Sequence, residues 1–239
     1  MMVALGNYFF HYRTTLSPML PLLLLLPGPT LWQDPFVAAL IGLIVALAGQ
    51  VLRGATIGLE YIVRGGRNHW VYADNLVTGG LFRHTRNPMY VGKFFMVLGA
   101  GIASNRWPAL VAITVAYSFM YQAVTLAEEA YLRDKFGAAF DDYCRDVPRW
   151  WPRLRGLAET FAKTRFNWAR VLTKEYSAPL GWTLPIVLIG IYNIHSTTGL
   201  EQRPFAVAAL WSVLGCAFGF WVILGLMKKT RSPVLRSAD

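Results

Sequence analysis

The chain has 239 residues, of which 55% are hydrophobic and only 15% are charged, and its mean hydropathy is +0.38. This composition argues against an ordinary soluble globular domain. The formal net charge of +10 would suit nucleic-acid binding, but the apolar residues fall into blocks about as long as a bilayer-spanning helix, roughly 20 residues. The composition therefore predicts an integral membrane protein.

Six apolar segments are candidate spans, so the sequence predicts an all-α, polytopic membrane helical bundle with about six transmembrane helices. Four prolines interrupt the first span, which could instead form a kinked or re-entrant helix. The second, fourth and sixth spans are uninterrupted, whereas the third and fifth are short. The spans cover residues 17–32, 36–52, 90–104, 108–127, 180–195 and 205–227.

The basic residues are segregated between the connecting segments. Twenty of the 23 lysines and arginines lie in one set of segments, Arg106 and Arg203 lie in the other set, and Lys93 lies at a membrane edge. Cytoplasmic loops carry such an excess of basic residues. The pattern predicts that both termini and the loop before the third span are cytoplasmic, and it explains the basic charge without a nucleic-acid partner.

The cysteines and histidines offer no recognisable metal-binding or disulfide pattern. Cys144 falls in a cytoplasmic segment and Cys216 inside a span, so they are not expected to pair. The histidines at positions 11, 69, 84 and 195 are scattered. The sequence therefore predicts no metal site.

A proline and a hairpin define the third and fourth helices. Pro88 suits the first position of a helix, with residues 83–87 as the loop before it. Residues 105–108 indicate a tight hairpin, and nothing breaks the fourth helix before Gly137. If these helices are antiparallel neighbours, the arginine loop meets the acid pair Glu128 and Glu129 at one membrane face.

Arginines and carboxylates placed together suit a small zwitterionic ligand. Arg83 or Arg86 would bind a carboxylate, and a glutamate would bind an ammonium group or a ribose diol. The N-terminus of the third helix adds a positive field for an anion. We therefore expect a pocket that faces the cytoplasm.

Residues 80–92 read GLFRHTRNPMYVG. This stretch resembles the R-[HN]-P-x-Y-x-G signature of isoprenylcysteine carboxyl methyltransferases and bacterial phospholipid methyltransferases, which are integral membrane enzymes. Further elements follow in the family's order, SNRWP and then EEAYLRDKFGAAFDDYCRDVPRWWP. The latter is similar to the family's E-E-x-x-L, F-G-x-x-[YF]-x-x-Y and V-x-R-x-x-P elements. The resemblance covers residues 78–155, about a third of the chain.

The resemblance implies transfer of the methyl group of S-adenosylmethionine to a lipid-like acceptor that enters from the membrane. The cofactor would lie in the cytoplasm-facing pocket, capped by the segment that follows the acid pair, including Pro152. We predict Arg86 and Glu129 as catalytic residues. The predicted cofactor-binding residues are Arg83, His84, Arg86, Asn87, Pro88, Tyr90, Gly92, Glu128, Glu129, Tyr143 and Arg149.

The chain departs from the family pattern in ways that leave the acceptor open. Asn87 stands where the carboxyl methyltransferases have histidine, Phe140 stands where tyrosine is common, and two further spans follow the usual core. The acceptor is expected to be an isoprenylcysteine-type carboxylate or another amphiphile, then a phospholipid amine, then a small thiol. A non-enzymatic membrane scaffold or transporter is the alternative of another class.

The predicted organisation has three parts. Residues 1–77 hold the N-terminal spans and a cytoplasmic connector, residues 78–155 the methyltransferase core, and residues 156–239 a basic linker and two C-terminal spans. Glycines in those last spans indicate close helix contacts and a homo-oligomer. We expect a multi-pass protein of a bacterial inner membrane, with the lipid bilayer and an amphiphilic acceptor as its partners.

Overall fold

The computed structural model describes residues 1–61 and 70–230, which form a bundle of α-helices. In these two ranges there are nine α-helices, three short 3-10 segments and no β-strand, and the predicted all-α class is confirmed. The α-helices are α1 (Met2–Leu16), α2 (Pro35–Leu59), α3 (Pro88–Ala103), α4 (Trp107–Phe136), α5 (Ala138–Asp146), α6 (Leu157–Lys163), α7 (Trp168–Glu175), α8 (Ala178–Thr197) and α9 (Pro204–Lys229). The 3-10 segments are Ser17–Leu25, Gly80–Arg83 and Leu200–Gln202.

Four of the described helices, α2, α4, α8 and α9, are long and apolar enough to cross a membrane. Helix α3 is a shorter apolar helix of 16 residues. Its length is limited by Pro88 at its first turn and by the hairpin at Asn105, whose φ of 55° ends the helix. Four of the six predicted spans are thus helices of full length, and the third is present but short.

The first predicted span differs most from the structure. Residues 17–32 do not form an α-helix: Ser17–Leu25 is a 3-10 segment, and an extended chain follows it. Proline has no backbone N–H and clashes with the preceding turn, so the closely spaced prolines prevent a regular α-helix here. Helix α1, which the sequence pattern did not predict, precedes this segment.

Helix α1 and the 3-10 segment together run antiparallel to α4. A Cβ atom on Gly6 would lie 2.0 Å from the Ala123 carbonyl oxygen, and one on Gly28 would lie 2.4 Å from the Pro108 side chain. The chain from Gly6 to Gly28 therefore follows α4 from its C-terminal half to its first turn. The N-terminus consequently lies at the same end of the bundle as the C-terminal end of α4.

Helices α2 and α3 approach each other through glycines. A Cβ atom on Gly42 would lie 2.4 Å from the Gly99 carbonyl oxygen, and one on Gly49 would lie 2.3 Å from the Gly92 carbonyl oxygen. Small residues allow this contact between helix backbones in a membrane. The contact holds the N-terminus of α3, and the loop that precedes it, against α2.

The C-terminal segment packs on the α2 side of the bundle. The Asn167 backbone N–H donates to the Gly58 carbonyl oxygen at 2.8 Å, and Arg53 forms an ion pair of 2.7 Å with Glu175. Helix α9 is outermost, because only 11% of its most apolar 18-residue stretch is buried. The predicted boundary between residues 155 and 156 falls in an exposed stretch. The polar contacts of Asn167 and Glu175 nevertheless join the chain after this boundary to α2.

We expect Glu175→Gln to lower the free energy of unfolding by about 3 kcal/mol, because Arg53 would lose a buried carboxylate partner. The two side chains are only 12% and 4% exposed. An SDS titration of the protein in mixed micelles measures this change. The matched control is Glu159→Gln, since Glu159 pairs with Lys163 in a mostly exposed ion pair, which should change stability by less than about 0.5 kcal/mol. Equal effects of both substitutions would contradict this role of Glu175.

Candidate functional site

Three parts of the chain meet at the C-terminal end of α4. They are the loop before α3, the last turns of α4, and the segment that follows α5. The Arg86 backbone N–H donates to the Pro148 carbonyl oxygen at 2.9 Å, and the Arg153 N–H donates to the His84 carbonyl oxygen at 2.9 Å. The Thr85 hydroxyl donates to the carbonyl oxygens of Arg149 and Trp150 at 3.1 and 3.0 Å. These bonds hold the segment after α5 on the loop before α3.

Two arginines share the buried carboxylate of Glu129, which is 6% exposed. Arg149 donates from Nε at 2.9 Å and from Nη2 at 2.7 Å, and Arg86 Nη1 lies 2.9 Å from Glu129 Oε1. The hydrogen bonds to Glu129 raise the pKa of Arg149. The Glu129 carboxylate therefore lies between two guanidinium groups.

Arg86 retains unused donor capacity. Its Nη1 also donates to the Cys144 sulfur at 2.8 Å, whereas its buried Nε has no hydrogen-bond partner. Buried polar groups normally find partners, so an unsatisfied guanidinium donor beside a cavity indicates a place for an acceptor group.

The second acid of the pair contacts an aromatic cluster. Tyr90 donates its hydroxyl to Glu128 at 2.7 Å, and its ring centroid lies 4.8 Å from that of Tyr121. Tyr121 stacks on Tyr117 at 4.3 Å, and the Tyr117 hydroxyl donates to the Tyr90 carbonyl oxygen at 3.2 Å. The cluster joins α3 to α4 on the N-terminal side of the acid pair along α4.

A cavity of about 620 Å³ opens between these groups. Such a volume lies in the usual range of ligand sites, roughly 300–1,000 Å³. Helix α1 contributes Phe10 and Arg13, α2 contributes Arg53, and residues 71–77 close another side. Cations, carboxylates and tyrosines therefore all line one cavity.

Six of the predicted site residues line this cavity: Arg86, Asn87, Tyr90, Glu128, Glu129 and Tyr143. The structure thus brings the arginine loop and the acid pair together, as expected for antiparallel neighbours. Tyr143 donates its hydroxyl to the Phe82 carbonyl oxygen at 2.7 Å, and burial raises the pKa of Tyr143. Arg149 lies behind the cavity wall and reaches it through Glu129.

The other predicted residues lie elsewhere. Arg83 is exposed and Pro88 is buried at the start of α3. His84 is buried, with Nδ1 2.6 Å from the Arg153 carbonyl oxygen and Nε2 2.9 Å from the Thr160 hydroxyl, so it joins the loop to α6. Gly92 faces α2, where a Cβ atom would lie 2.8 Å from the Gly49 carbonyl oxygen. Pro152 is exposed.

Several cavity residues were not found from the sequence. Tyr121 precedes Glu128 by seven residues, which places both on one helix face, and this spacing could have identified it. Phe10, Arg13 and Arg53 carried no such signal, because only the packing of α1 and α2 brings them to the cavity.

We expect the Cys144 thiol to react about five-fold more slowly with iodoacetamide at pH 8 than an ordinary exposed cysteine. Burial raises the pKa of Cys144 more than the Arg86 guanidinium lowers it, so less thiolate is present, and the rate should rise towards pH 9.5. Mass spectrometry of a Cys216→Ser variant measures the rate. The matched control is the same Cys216→Ser chain with two further substitutions. Cys144→Ser removes the native thiol, and Ala139→Cys places a thiol at an exposed position of the same helix. Equal rates at the two positions would refute the raised pKa of Cys144.

Residues 38–139 match the family model described as phospholipid methyltransferase. This range contains Arg86, Tyr90, Glu128 and Glu129, whereas Tyr143 and Arg149 lie beyond it. No solved structure matches the chain. Among the described residues, no group of three histidine, cysteine, aspartate or glutamate side chains is placed to hold a metal ion.

Curated relatives fall into two named groups. The nickel-cobalt-cadmium resistance protein NccN of Alcaligenes xylosoxydans xylosoxydans is 31% identical over 135 residues, which are 56% of this chain and 60% of that protein. The protein-S-isoprenylcysteine O-methyltransferase of Schizosaccharomyces pombe is 35% identical over 107 residues, 42% of this chain and 43% of that enzyme. The Xenopus laevis enzyme of the same name is 29% identical over 124 residues, 50% of this chain and 42% of its own. The chain thus spans about half the length of these relatives.

Proposed function

We propose that this chain, whose residues 38–139 match the phospholipid methyltransferase family, transfers the methyl group of S-adenosylmethionine to a lipid-like acceptor, with an isoprenylcysteine-type carboxylate favoured. The observation that carries this proposal is the buried Glu129 between Arg86 and Arg149 at the wall of the cavity. The relatives named as isoprenylcysteine methyltransferases support the choice of a carboxylate acceptor.

The residues around the cavity fit S-adenosylmethionine. The unsatisfied Nε of Arg86 is a donor for the carboxylate of the cofactor. Glu128 accepts one hydrogen bond from Tyr90, and a carboxylate offers about four acceptor sites, so it can also bind an ammonium group or a ribose hydroxyl. The rings of Tyr90 and Tyr121 suit a sulfonium cation.

The chain's contribution to the chemistry is to position the reactants. When bound, the cofactor supplies an electrophilic methyl group, so that a carboxylate oxygen forms the new carbon–oxygen bond as the carbon–sulfur bond breaks, with no proton transferred. The protein then has to hold the two reacting atoms in line at roughly 3–3.5 Å. The Arg86–Glu129–Arg149 ion pairs, locked by the backbone bonds to residues 148–153, provide a rigid wall for this purpose.

The charge distribution supports a topology for the proposed enzyme. We assign the N-terminus, the cavity mouth and the end of α9 at Lys228 and Lys229 to the cytoplasmic side of a bacterial inner membrane, because basic residues favour that side. We also propose that the chain forms a homo-oligomer through α9. Gly215 and Gly219 on this helix face open space, where a second helix could pack closely.

We expect the purified chain to bind S-adenosylmethionine saturably in calorimetry, and Arg86→Met and Glu129→Gln each to weaken binding at least about ten-fold, since each removes a charged hydrogen-bonding group from the cavity. The control Arg145→Met removes an exposed arginine of α5 and should bind as the unaltered chain does. Thermal melts of each variant separate loss of binding from loss of folding. An intact, folded chain that binds no cofactor would overturn the proposed function.

The acceptor class can be read from the chemistry of the product. Incubation with methyl-tritiated S-adenosylmethionine and either N-acetyl-S-farnesylcysteine or phosphatidylethanolamine should label the farnesylcysteine preferentially. A methyl ester releases volatile tritiated methanol in alkali, whereas an N-methyl group does not. Alkali-stable label in phosphatidylethanolamine alone would replace the carboxylate by an amine acceptor.

A further inference from the structure

Lys93 is a cation inside the bundle that the site described above does not use. It lies five residues after Pro88 on α3, which is about 7.5 Å along the helix axis. It lines the cavity. Its ammonium donates to the Tyr121 hydroxyl at 2.8 Å and to the Ser17 hydroxyl at 3.1 Å. Charged side chains in membrane helices face polar interiors and are suspected of function.

Lys93 differs from Arg53 and Arg86 in having neutral partners. Arg53 is paired with Glu175, and Arg86 is paired with Glu129. Within the described residues, no carboxylate lies at ion-pair distance from Lys93. An ammonium group has three donors, and the two hydroxyls account for two of them. One donor and an uncompensated positive charge remain.

The position of Lys93 gives the cavity two charged levels. Tyr121, its partner on α4, precedes Glu129 by eight residues, which is about 12 Å along that helix. The Arg86–Glu129 group therefore lies near the end of α4, whereas Lys93 lies deeper in the bundle, where the helices are apolar. Apart from Tyr121, which also holds Lys93, the cofactor-binding groups of the proposed function belong to the first level, and an amphiphile that enters from the bilayer would meet the second.

We propose that Lys93 is a specificity-determining residue that binds the anionic headgroup of the acceptor. This inference rests on the proposed function and narrows its substrate class to amphiphiles with a carboxylate. A carboxylate beside the ammonium gains an ion pair in a site of low dielectric constant. A protonated amine in the same place is repelled. Ser17 and Tyr121 hold the ammonium towards the cavity, and they make the 3-10 segment a part of the acceptor site.

Three probes with the same apolar tail test this role: N-acetyl-S-farnesylcysteine, its methyl ester, and S-farnesylcysteamine, which carries an amine. Their dissociation constants are measured with the full chain in nanodiscs. We expect Lys93→Met to weaken binding of the carboxylate about 10- to 100-fold. Binding of the ester should change less than about two-fold, and the amine should bind more tightly. Lys93→Arg should restore most of the carboxylate affinity.

The control variant is Lys163→Met, which removes a lysine on exposed α6 and should bind all three probes as the unaltered chain does. Unchanged binding of the carboxylate probe to Lys93→Met would overturn the role of Lys93. An equal loss of affinity for all three probes would also overturn it, because such a loss indicates damaged packing. Titration of the unaltered chain with S-adenosylmethionine separates the two proposals. Absent cofactor binding overturns the proposed function, whereas cofactor binding with no selective loss overturns the assignment of Lys93 alone.

Discussion

The carboxylate of Glu129 is the point on which the arrangement of the site depends. It is almost fully buried, and burial of a charge is tolerated only when partners compensate it. Arg86 comes from the loop before α3 and Arg149 from the segment after α5, so compensation requires both segments to fold onto the end of α4. The backbone bonds of Arg86 to Pro148 and of Arg153 to His84 follow from that convergence.

The membrane helices supply the rigid frame for this convergence. The glycine contacts between α2 and α3 bring the helix backbones together, and the hairpin at Asn105 turns the chain directly into α4. Because α3 is short and α4 has 30 residues, α4 extends beyond the start of α3. The acid pair therefore lies beside the loop that carries Arg86, and both line the same cavity.

The cavity combines two chemical environments that usually occur in different kinds of site. Its polar end carries guanidinium groups and carboxylates that suit a small zwitterionic molecule, whereas its deeper part carries tyrosines and Lys93 among apolar helices. The proposed transfer between a water-soluble donor and a lipid-like acceptor would use both environments within one cavity. The ion pair of Arg53 with Glu175 links this cavity to α7, so the C-terminal segment stabilises a residue of the cavity wall.

By itself, the sequence determined the all-α class, the separation of basic from apolar segments, the start of α3 at Pro88 and the meeting of the arginine loop with the acid pair. These features depend on composition, proline chemistry and local helix periodicity, which are visible in one dimension. Only the tertiary structure decided that α1 and a 3-10 segment pass along α4, that Gly92 faces α2 rather than the cavity, and that Phe10, Arg13 and Arg53 line it. These depend on contacts between residues far apart in the chain, whose packing has no local sequence signal.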